Sequence, residues 1–337
     1  MQSFSKITVF FALLLTASGS VRAQDYLKLG KDALQQKSFD VAIDYLLRAQ
    51  KANTRNVEAN FFLGEAYRLK GVRDSAEMFL QRAVDINDEY MPAATSLGSL
   101  FVRTGQWLKA GKIFAAATKV DKKNAGIPLA FGNAYLEVDS LDKAIVYFSK
   151  AKDINENLSE VYTGLAEAYG RQNITVLAIT NYQKAAELDP KSAVIRYKLG
   201  KAFYKNRQYN DCAREFQEAV NLDPTNDVYV LEVAQIFYRA KMYRESARFF
   251  GKYVTLKKDN RVAYEEYAKA LYAGKFYRDA IPVIEEAMRL NPKSYDLKPA
   301  FARSLYESGE SQKALDAYKA LPKDSLIAED YIRIGRS

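Results

Sequence analysis

The stretch that decides the fold is Ala193–Asn226, which reads AVIRYKLGKAFYKNRQYNDCAREFQEAVNLDPTN. Its apolar and small residues recur three and four positions apart, first around Leu199 and again around Phe216 and Ala219. This spacing is typical of two successive amphipathic helices that each bury one face. Pro224 follows the second segment, and its missing N–H and fixed φ stop a helix. The stretch therefore predicts one pair of facing helices.

The same pattern recurs along the chain every 34 residues. A Leu-Gly pair or its equivalent begins at Leu29, Leu63, Leu97, Phe131, Leu165, Leu199, Val233, Tyr267 and Phe301. The pattern predicts nine repeats that start near residues 23, 57, 91, 125, 159, 193, 227, 261 and 295. Chance similarity would not keep this register without an insertion or deletion, so a tandem array is expected.

Residues that end helices or form turns recur with the same 34-residue period. Between the two helices of a repeat lie residue types that accept the left-handed conformation: Gly71, Gly105, Asp139, Asn173 and Gly309. After the second helix, proline recurs at Pro190, Pro224 and Pro292. Small residues such as Gly64 and Gly132 would let the two helix axes approach closely. The period is thus marked at its turns as well as on its apolar faces.

In these features residues 24–328 resemble the tetratricopeptide repeat family. The sixth repeat shows the family pattern with Leu199, Gly200, Phe203, Phe216, Ala219 and Pro224. The resemblance implies an all-α, right-handed superhelical solenoid of antiparallel helix pairs, whose first helices line a concave groove. Residues 329–337 look like the start of an incomplete tenth repeat, one residue out of register. The seventh repeat departs from the family, with Ser246 and Tyr253 where small alanines are usual.

The first 23 residues have the three-part build of a secretory signal peptide. Lys6 supplies the positive start, Ile7–Leu15 the apolar stretch, and Thr16–Ala23 the small-residue spacing for cleavage. The apolar stretch is well short of the roughly 20 residues that span a bilayer, and no other segment could span one. We expect a mature chain that begins at Gln24 and is periplasmic or secreted, in a bacterial host rather than a eukaryotic one.

The composition argues against catalysis and against a nucleic-acid partner. The chain has no histidine and one cysteine, so the commonest general base and the commonest metal ligands are missing. The net charge of +9 is spread along the chain, and the longest basic runs are pairs such as Lys122-Lys123. We expect no enzyme activity, no cofactor, no metal and no nucleic acid. Cys212 and Trp107 are both interpreted as packing residues.

A candidate binding surface lies in repeats six to nine. Tyrosines recur at 34-residue spacing as Tyr204, Tyr238, Tyr272 and Tyr306, next to the helix face that the family directs into the groove. Cations occupy neighbouring first-helix positions at Lys201, Lys205, Arg239, Lys269 and Arg303. Aromatic residues offer rigid contact area to a bound peptide. Ordinary packing remains the alternative, because the family commonly has an aromatic residue at this position.

The sequence favours a non-catalytic scaffold of the cell envelope that binds a protein or peptide partner in the groove. One alternative is the repeat arm of a larger protein whose effector or catalytic domain lies beyond Ser337. Another is a glycan- or peptidoglycan-binding module, since tyrosine-rich grooves can stack on sugars. The terminal repeats could also bury their apolar faces on a second copy of the chain.

Overall fold

The computed structural model describes residues 23–292 and 297–336. Within these ranges every regular element is a helix and none is a strand. The predicted all-α class is therefore confirmed. The predicted signal peptide lies outside the described residues except for Ala23, and so does the predicted start of the ninth repeat at residue 295.

The helices alternate between first and second members of consecutive antiparallel pairs. The first helices are α1 (23–35), α3 (Val57–Lys70), α5 (Met91–Arg103), α7 (Gly126–Glu137), α9 (Ser159–Arg171), α11 (Ala193–Lys205), α13 (Asp227–Arg239), α15 (Arg261–Ala273) and α17 (Leu297–Glu307). The second helices are α2 (Phe39–Ala52), α4 (Arg73–Ile86), α6 (Trp107–Val120), α8 (Leu141–Ile154), α10 (Thr175–Leu188), α12 (Tyr209–Leu222), α14 (Tyr243–Leu256), α16 (Tyr277–Leu290) and α18 (Ser311–Lys319). A turn of 3-10 helix at Lys323–Ser325 leads into α19 (Ala328–Arg336).

These helices belong to two compact units, α1–α10 up to Asp189 and α11–α19 from Pro190 onwards. Inside each unit a helix packs against its pair partner, and the second helix also contacts the first helix of the following pair. Most of the large residues at the Leu-Gly positions are buried between these helices, as with Leu63 and Phe131, while Tyr267 and Phe301 are half-buried. Leu29 departs from the pattern and is 43 % exposed, since among the described helices none precedes α1.

Two glycines show why the pairs pack closely. A Cβ built on Gly132 would lie 2.6 Å from the Phe148 ring, and one on Gly200 would lie 2.6 Å from the Phe216 ring. Both phenylalanines are fully buried on the second helix of the same pair. The predicted role of the small residue is confirmed, because any side chain there would push the two helix axes apart.

The turn inside each pair contains one residue in the left-handed region. All five residues predicted for it have positive φ: Gly71, Gly105, Asp139, Asn173 and Gly309. The same place in the remaining pairs is taken by Lys37, Arg207, Lys241 and Lys275, with φ of 58°, 61°, 60° and 62°. Residue type did not point to these four, because long side chains rarely adopt that conformation.

The interpretation of Cys212 and Trp107 as packing residues is confirmed. Cys212 is fully buried, and this burial raises the pKa of its thiol to about 12. Trp107 on α6 stacks on Tyr135 of α7 with ring centroids 5.9 Å apart, although 43 % of the tryptophan is exposed. It therefore packs between two successive helix pairs with its outer side open to solvent.

The seventh repeat accommodates its two unusual residues by giving their polar groups partners. Ser246 is fully buried and its hydroxyl donates to the carbonyl of Ala234, 2.9 Å away. Tyr253 is also buried, and its hydroxyl accepts a hydrogen bond from the Asn260 side-chain amide at 3.2 Å. These hydrogen bonds offset the cost of burying the two hydroxyl groups.

The last helix packs on the second unit through a buried carboxylate. Asp330 of α19 is fully buried and accepts two hydrogen bonds from the Arg303 guanidinium, at 2.8 and 2.6 Å. Ile334 packs against the cluster around Leu305 and Tyr318. Elsewhere on α19, Tyr331 and Ile332 are each 53 % exposed.

Candidate partner-binding surface

The four predicted tyrosines, here called the ladder tyrosines, lie near the end of four first helices of the second unit. Tyr204 belongs to α11, Tyr238 to α13, Tyr272 to α15 and Tyr306 to α17. None of them is fully buried, and Tyr238 is 37 % exposed. Their rings are thus open to a ligand at one place in each of four successive pairs.

Three ladder tyrosines also pack against a second tyrosine at the start of the following helix. The contacts are Tyr204 with Tyr209, Tyr238 with Tyr243, and Tyr272 with Tyr277, with ring centroids 6.1, 5.7 and 5.9 Å apart and planes inclined by 57° to 64°. The fourth, Tyr306, instead has the Arg333 guanidinium 5.9 Å from its ring centroid. Edge-to-face pairs of this kind hold both rings in a defined orientation.

The paired tyrosines define a sequence motif that residue-by-residue inspection missed. It is Tyr-x-x-Arg/Lys-x-Tyr, and it occurs as YKNRQY at 204–209, YRAKMY at 238–243 and YAGKFY at 272–277. We call it the turn motif, and its basic residues Arg207, Lys241 and Lys275 the turn cations. The 34-residue spacing that identified the ladder tyrosines would also have found this motif.

A depression of about 400 Å³ lies between α13 and α15. It is lined by Gln235, Tyr238, Arg239, Phe250, Glu266 and Lys269. The structure thus brings three of the predicted site residues, Tyr238, Arg239 and Lys269, to one concavity. Gln235 donates to the Glu266 carboxylate at 3.1 Å, so this acid is already held by the wall of the depression.

Two of the predicted cations are used inside the fold instead. Lys201 pairs with Glu232 of the next first helix at 2.8 Å and lies 5.3 Å from the Tyr197 ring centroid. Burial acts to raise the pKa of Glu232, but Lys201, Tyr197 and Arg239 together hold that pKa below its ordinary value. Arg303 is bound to Asp330 and keeps only 18 % of its side chain exposed. Lys205, at the end of α11, is exposed.

Other kinds of site are not apparent in the described residues. Within 23–292 and 297–336, no group of three or more His, Cys, Asp or Glu side chains could hold a metal ion. In the same ranges no helix combines the length and the apolar character needed to cross a bilayer.

Comparison with known families identifies the class of protein. Tetratricopeptide repeat models match residues 27–92, 193–226 and 268–325, and a TPR repeat model matches 177–206. Together these matches span slightly more than half of the chain. The chain belongs to the tetratricopeptide repeat family, whose members are generally non-catalytic scaffolds that bind protein or peptide partners. Curated protein sequences give no significant match.

A solved structure shows the same fold, and two others are similar over about half of the chain. The C-terminal part of a TPR repeat-containing protein from Cytophaga hutchinsonii is similar at 13% identity and a TM-score of 0.51, covering 71% of this chain and 98% of that one. YrrB, a TPR protein with an unusual peptide-binding site, has 18% identity and a TM-score of 0.45, covering 54% of this chain and 93% of that one. A TPR protein of Thermus thermophilus has 23% identity and a TM-score of 0.45, covering 54% of this chain and 98% of that one.

Proposed function

We propose that this chain is a non-catalytic scaffold that binds a protein or peptide partner on the surface formed by the ladder tyrosines. The observation that carries the proposal is that Tyr238, Arg239 and Lys269 line one depression of the second unit. Concave sites that combine aromatic walls with a few polar groups are the usual ligand sites of proteins.

The chemistry of this surface suits a protein ligand. Tyrosine offers large, rigid contact area together with a hydroxyl that can donate or accept a hydrogen bond. Arg239 and Lys269 form no ion pair within 4 Å among the described residues, so they can contact acceptors on a partner. Binding sites of this composition concentrate their free energy in a few aromatic and arginine contacts.

The test compares intact protein with a variant in which Tyr204, Tyr238, Tyr272 and Tyr306 are all alanine. Partners are cross-linked from envelope extract, identified by mass spectrometry, then purified and titrated against both proteins. We expect the variant to bind at least tenfold more weakly, because two or more aromatic contacts of about 1 kcal/mol each are lost. Circular dichroism verifies that the variant remains helical.

A matched control removes exposed apolar side chains from second helices of the first unit. Leu108, Val146 and Val176 are 77, 51 and 66 % exposed, and their replacement by alanine should leave partner binding unchanged. Equal loss of binding in the control and the tyrosine variant would refute the assignment to the ladder surface.

We also propose that the protein acts outside the cytoplasm. The support is the three-part segment at residues 1–23. Mass spectrometry of the protein from envelope fractions should find a mature chain that begins at Gln24. An intact N-terminus in a protein that fractionates with the cytoplasm would contradict export.

Self-association through the terminal repeats is the remaining part of the proposal. Its support is the apolar surface left open on α19, where Tyr331 and Ile332 are exposed. Light scattering should then give a mass above that of one chain, and the Tyr331→Glu variant should return it to one. A mass of one chain at all concentrations would contradict self-association.

A further inference from the structure

The turn motif places a strained basic residue between two tyrosines in three successive helix pairs. Arg207, Lys241 and Lys275 have φ near 60°, a conformation that glycine adopts without strain and that costs other residues about 1–2 kcal/mol. Glycine occupies this place at Gly71 and Gly105 in the first unit. Backbone strain held at a defined place is often associated with a binding or catalytic role.

The charges of these three residues are not used by the fold. All three side chains are exposed, and among the described residues no carboxylate lies within 4 Å of their nitrogen atoms. Lys201 and Arg303, by contrast, are both paired. The turn motifs therefore present three unneutralised cations, which favours a ligand with carboxylates.

The spacing of the motifs restricts the conformation of a ligand that reaches all three. Successive first helices touch through side chains: Tyr197 stacks on Tyr229 at 4.5 Å and Gln235 bonds Glu266 at 3.1 Å. Helices that meet only through the ends of their side chains lie at the upper end of the usual separation of about 8–10 Å, so one motif follows the next by about 10 Å. Polyproline II has three residues per turn and a rise of about 3.1 Å, which repeats each face about every 9 Å. A β-strand repeats a face at about 6.6 Å and does not match.

The hydrogen-bond donors of the turn motifs also favour a ligand in the polyproline II conformation. The turn cations can only donate, and burial raises the pKa of Tyr238 and Tyr277, which keeps both phenols protonated as donors. A polyproline II segment leaves its backbone carbonyls free to accept, whereas an α-helix uses its own carbonyls internally. A donor-rich surface is thus complementary to an acceptor-rich ligand.

We propose that the three turn motifs form one continuous site for an acidic peptide segment in the polyproline II conformation, with a carboxylate at every third residue. Each carboxylate pairs with one turn cation, and the residues between carboxylates lie against the tyrosine pairs. The inference rests on the proposed function, since it specifies the partner of the ladder surface.

The first test uses fluorescein-labelled peptides of one to five Glu-Pro-Pro repeats and measures anisotropy with the full chain. Affinity should rise up to three repeats and then level off, because three motifs are present. The three-repeat peptide should bind at least tenfold more tightly than Lys-Pro-Pro repeats and than a peptide of equal composition whose three glutamates are adjacent. Equal binding of the adjacent-glutamate peptide would contradict the proposed spacing of one carboxylate at every third residue.

The second test replaces the turn cations with glycine, as Arg207→Gly, Lys241→Gly and Lys275→Gly in one protein. Relief of backbone strain should raise the midpoint of thermal unfolding, while loss of three charge contacts should weaken peptide binding by roughly tenfold. If these residues had only a structural role, the variant would be more stable but would bind the peptide as tightly as before. Unchanged affinity in a more stable protein would overturn the role of the cations.

A matched control is Lys37→Gly in the first unit. Lys37 has the same positive φ but no tyrosine on either side of it in the turn, where Leu34 and Phe39 stand instead. This variant should also be stabilised, with peptide affinity unchanged. A tenfold loss of affinity in this control would show that the peptide does not choose the turn motifs, and the proposal would fall.

The outcomes separate this inference from the proposed function. If Glu-Pro-Pro peptides fail to bind but the ladder variant still loses its identified partners, the peptide class is wrong and the scaffold function stands. If the ladder variant also keeps its partners, both the peptide inference and the proposed binding function of the ladder surface are wrong. Binding of oligogalacturonate in place of the peptides would assign the motifs to an acidic glycan and overturn the peptide assignment.

Discussion

At the scale of single residues, the feature with the clearest energetic consequence is the carboxylate of Asp330. It is fully buried, accepts from Arg303, and also accepts the backbone N–H of Ile327 at 3.1 Å. Burial acts to raise the pKa of Asp330, but these donors outweigh it and hold that pKa below its ordinary value of 3.8. The ionised form is therefore the one that holds α19 in place.

The Asp330→Asn variant should detach α19 from the second unit at neutral pH. The change leaves the Arg303 guanidinium without its counter-charge in a largely buried place, which costs about 3 kcal/mol. Hydrogen exchange of the α19 amides should accelerate, while that of α11–α16 stays the same. The double variant Asp330→Leu with Arg303→Leu should recover protection, because an apolar pair needs no counter-charge. Unchanged exchange in Asp330→Asn would show that the ion pair is not what holds the helix.

The same carboxylate predicts a pH dependence. A group whose pKa is lower in the folded state contributes stability above its unfolded pKa and loses it as the pH falls through the folded value. Protection of α19 should thus be constant from about pH 7 to about pH 5 and fall below about pH 4. In the double leucine variant this fall should disappear, and a fall that persists there would assign it to other carboxylates.

Residue identity explains which parts of the site could be predicted. Tyr204, Tyr238, Tyr272 and Tyr306 stand out from their spacing alone, whereas the ion pairs of Lys201 and Arg303 depend on acids 31 and 27 residues away. Whether such side chains meet is decided by helix packing, which a repeat pattern does not contain. The left-handed turn residues show the opposite case. The residue type of Lys241 does not predict a positive φ, whereas its position in the repeat does.

At the scale of helix pairs, a close approach at a glycine decides how the two members pack. Gly200 on α11 faces the Phe216 ring of α12, with no room for a Cβ. Gly111 on α6 has nothing within 4 Å of the place where a Cβ would stand. The two glycines therefore make a matched pair in opposite environments.

Opposite stability changes should follow from the same substitution at these two sites. Gly200→Ala overpacks a buried contact and should lower the free energy of unfolding by about 1–3 kcal/mol. Gly111→Ala removes a poor helix former without a clash and should raise it by up to about 1 kcal/mol. Urea unfolding followed by circular dichroism measures both. A gain in Gly200→Ala would mean that the α11–α12 pair relaxes more than its packing suggests.

The helix pairs themselves were largely predictable from sequence. Pro190, Pro224 and Pro292 lie just beyond helices that end at Leu188, Leu222 and Leu290, as the missing N–H requires. The less predictable part was α19, because its buried Asp330 breaks the apolar pattern on which repeat recognition depends. Its packing is set by Arg303, a residue on another helix.

At the scale of the whole molecule, stability is expected to be shared among neighbours. Inside each of the two units, a helix pair buries its faces on adjacent pairs, so the stability of a unit approximates a sum of pair and interface terms. Pairs with a neighbour on only one side have fewer such terms. The terminal pairs of each unit should therefore open before its interior pairs.

Native-state hydrogen exchange should show this gradient. Amides of α5–α8 should exchange most slowly in the first unit, and protection should fall towards its terminal helices; in the second unit it should fall towards α18 and α19. Increasing urea should shift the terminal helices first. One common exchange rate for all helices would contradict the additive picture and indicate a single cooperative unit.

The burial of Cys212 also makes the protein a convenient starting point for optical measurement. Its thiol is the only one in the chain, has no exposed surface, and has a pKa raised to about 12, so little reactive thiolate forms at neutral pH. A cysteine introduced at an exposed residue such as Val262 of α15, which is 55 % exposed, would consequently react with a maleimide dye almost alone. Fluorescent reporters can thus be attached next to the depression while the native cysteine stays in place.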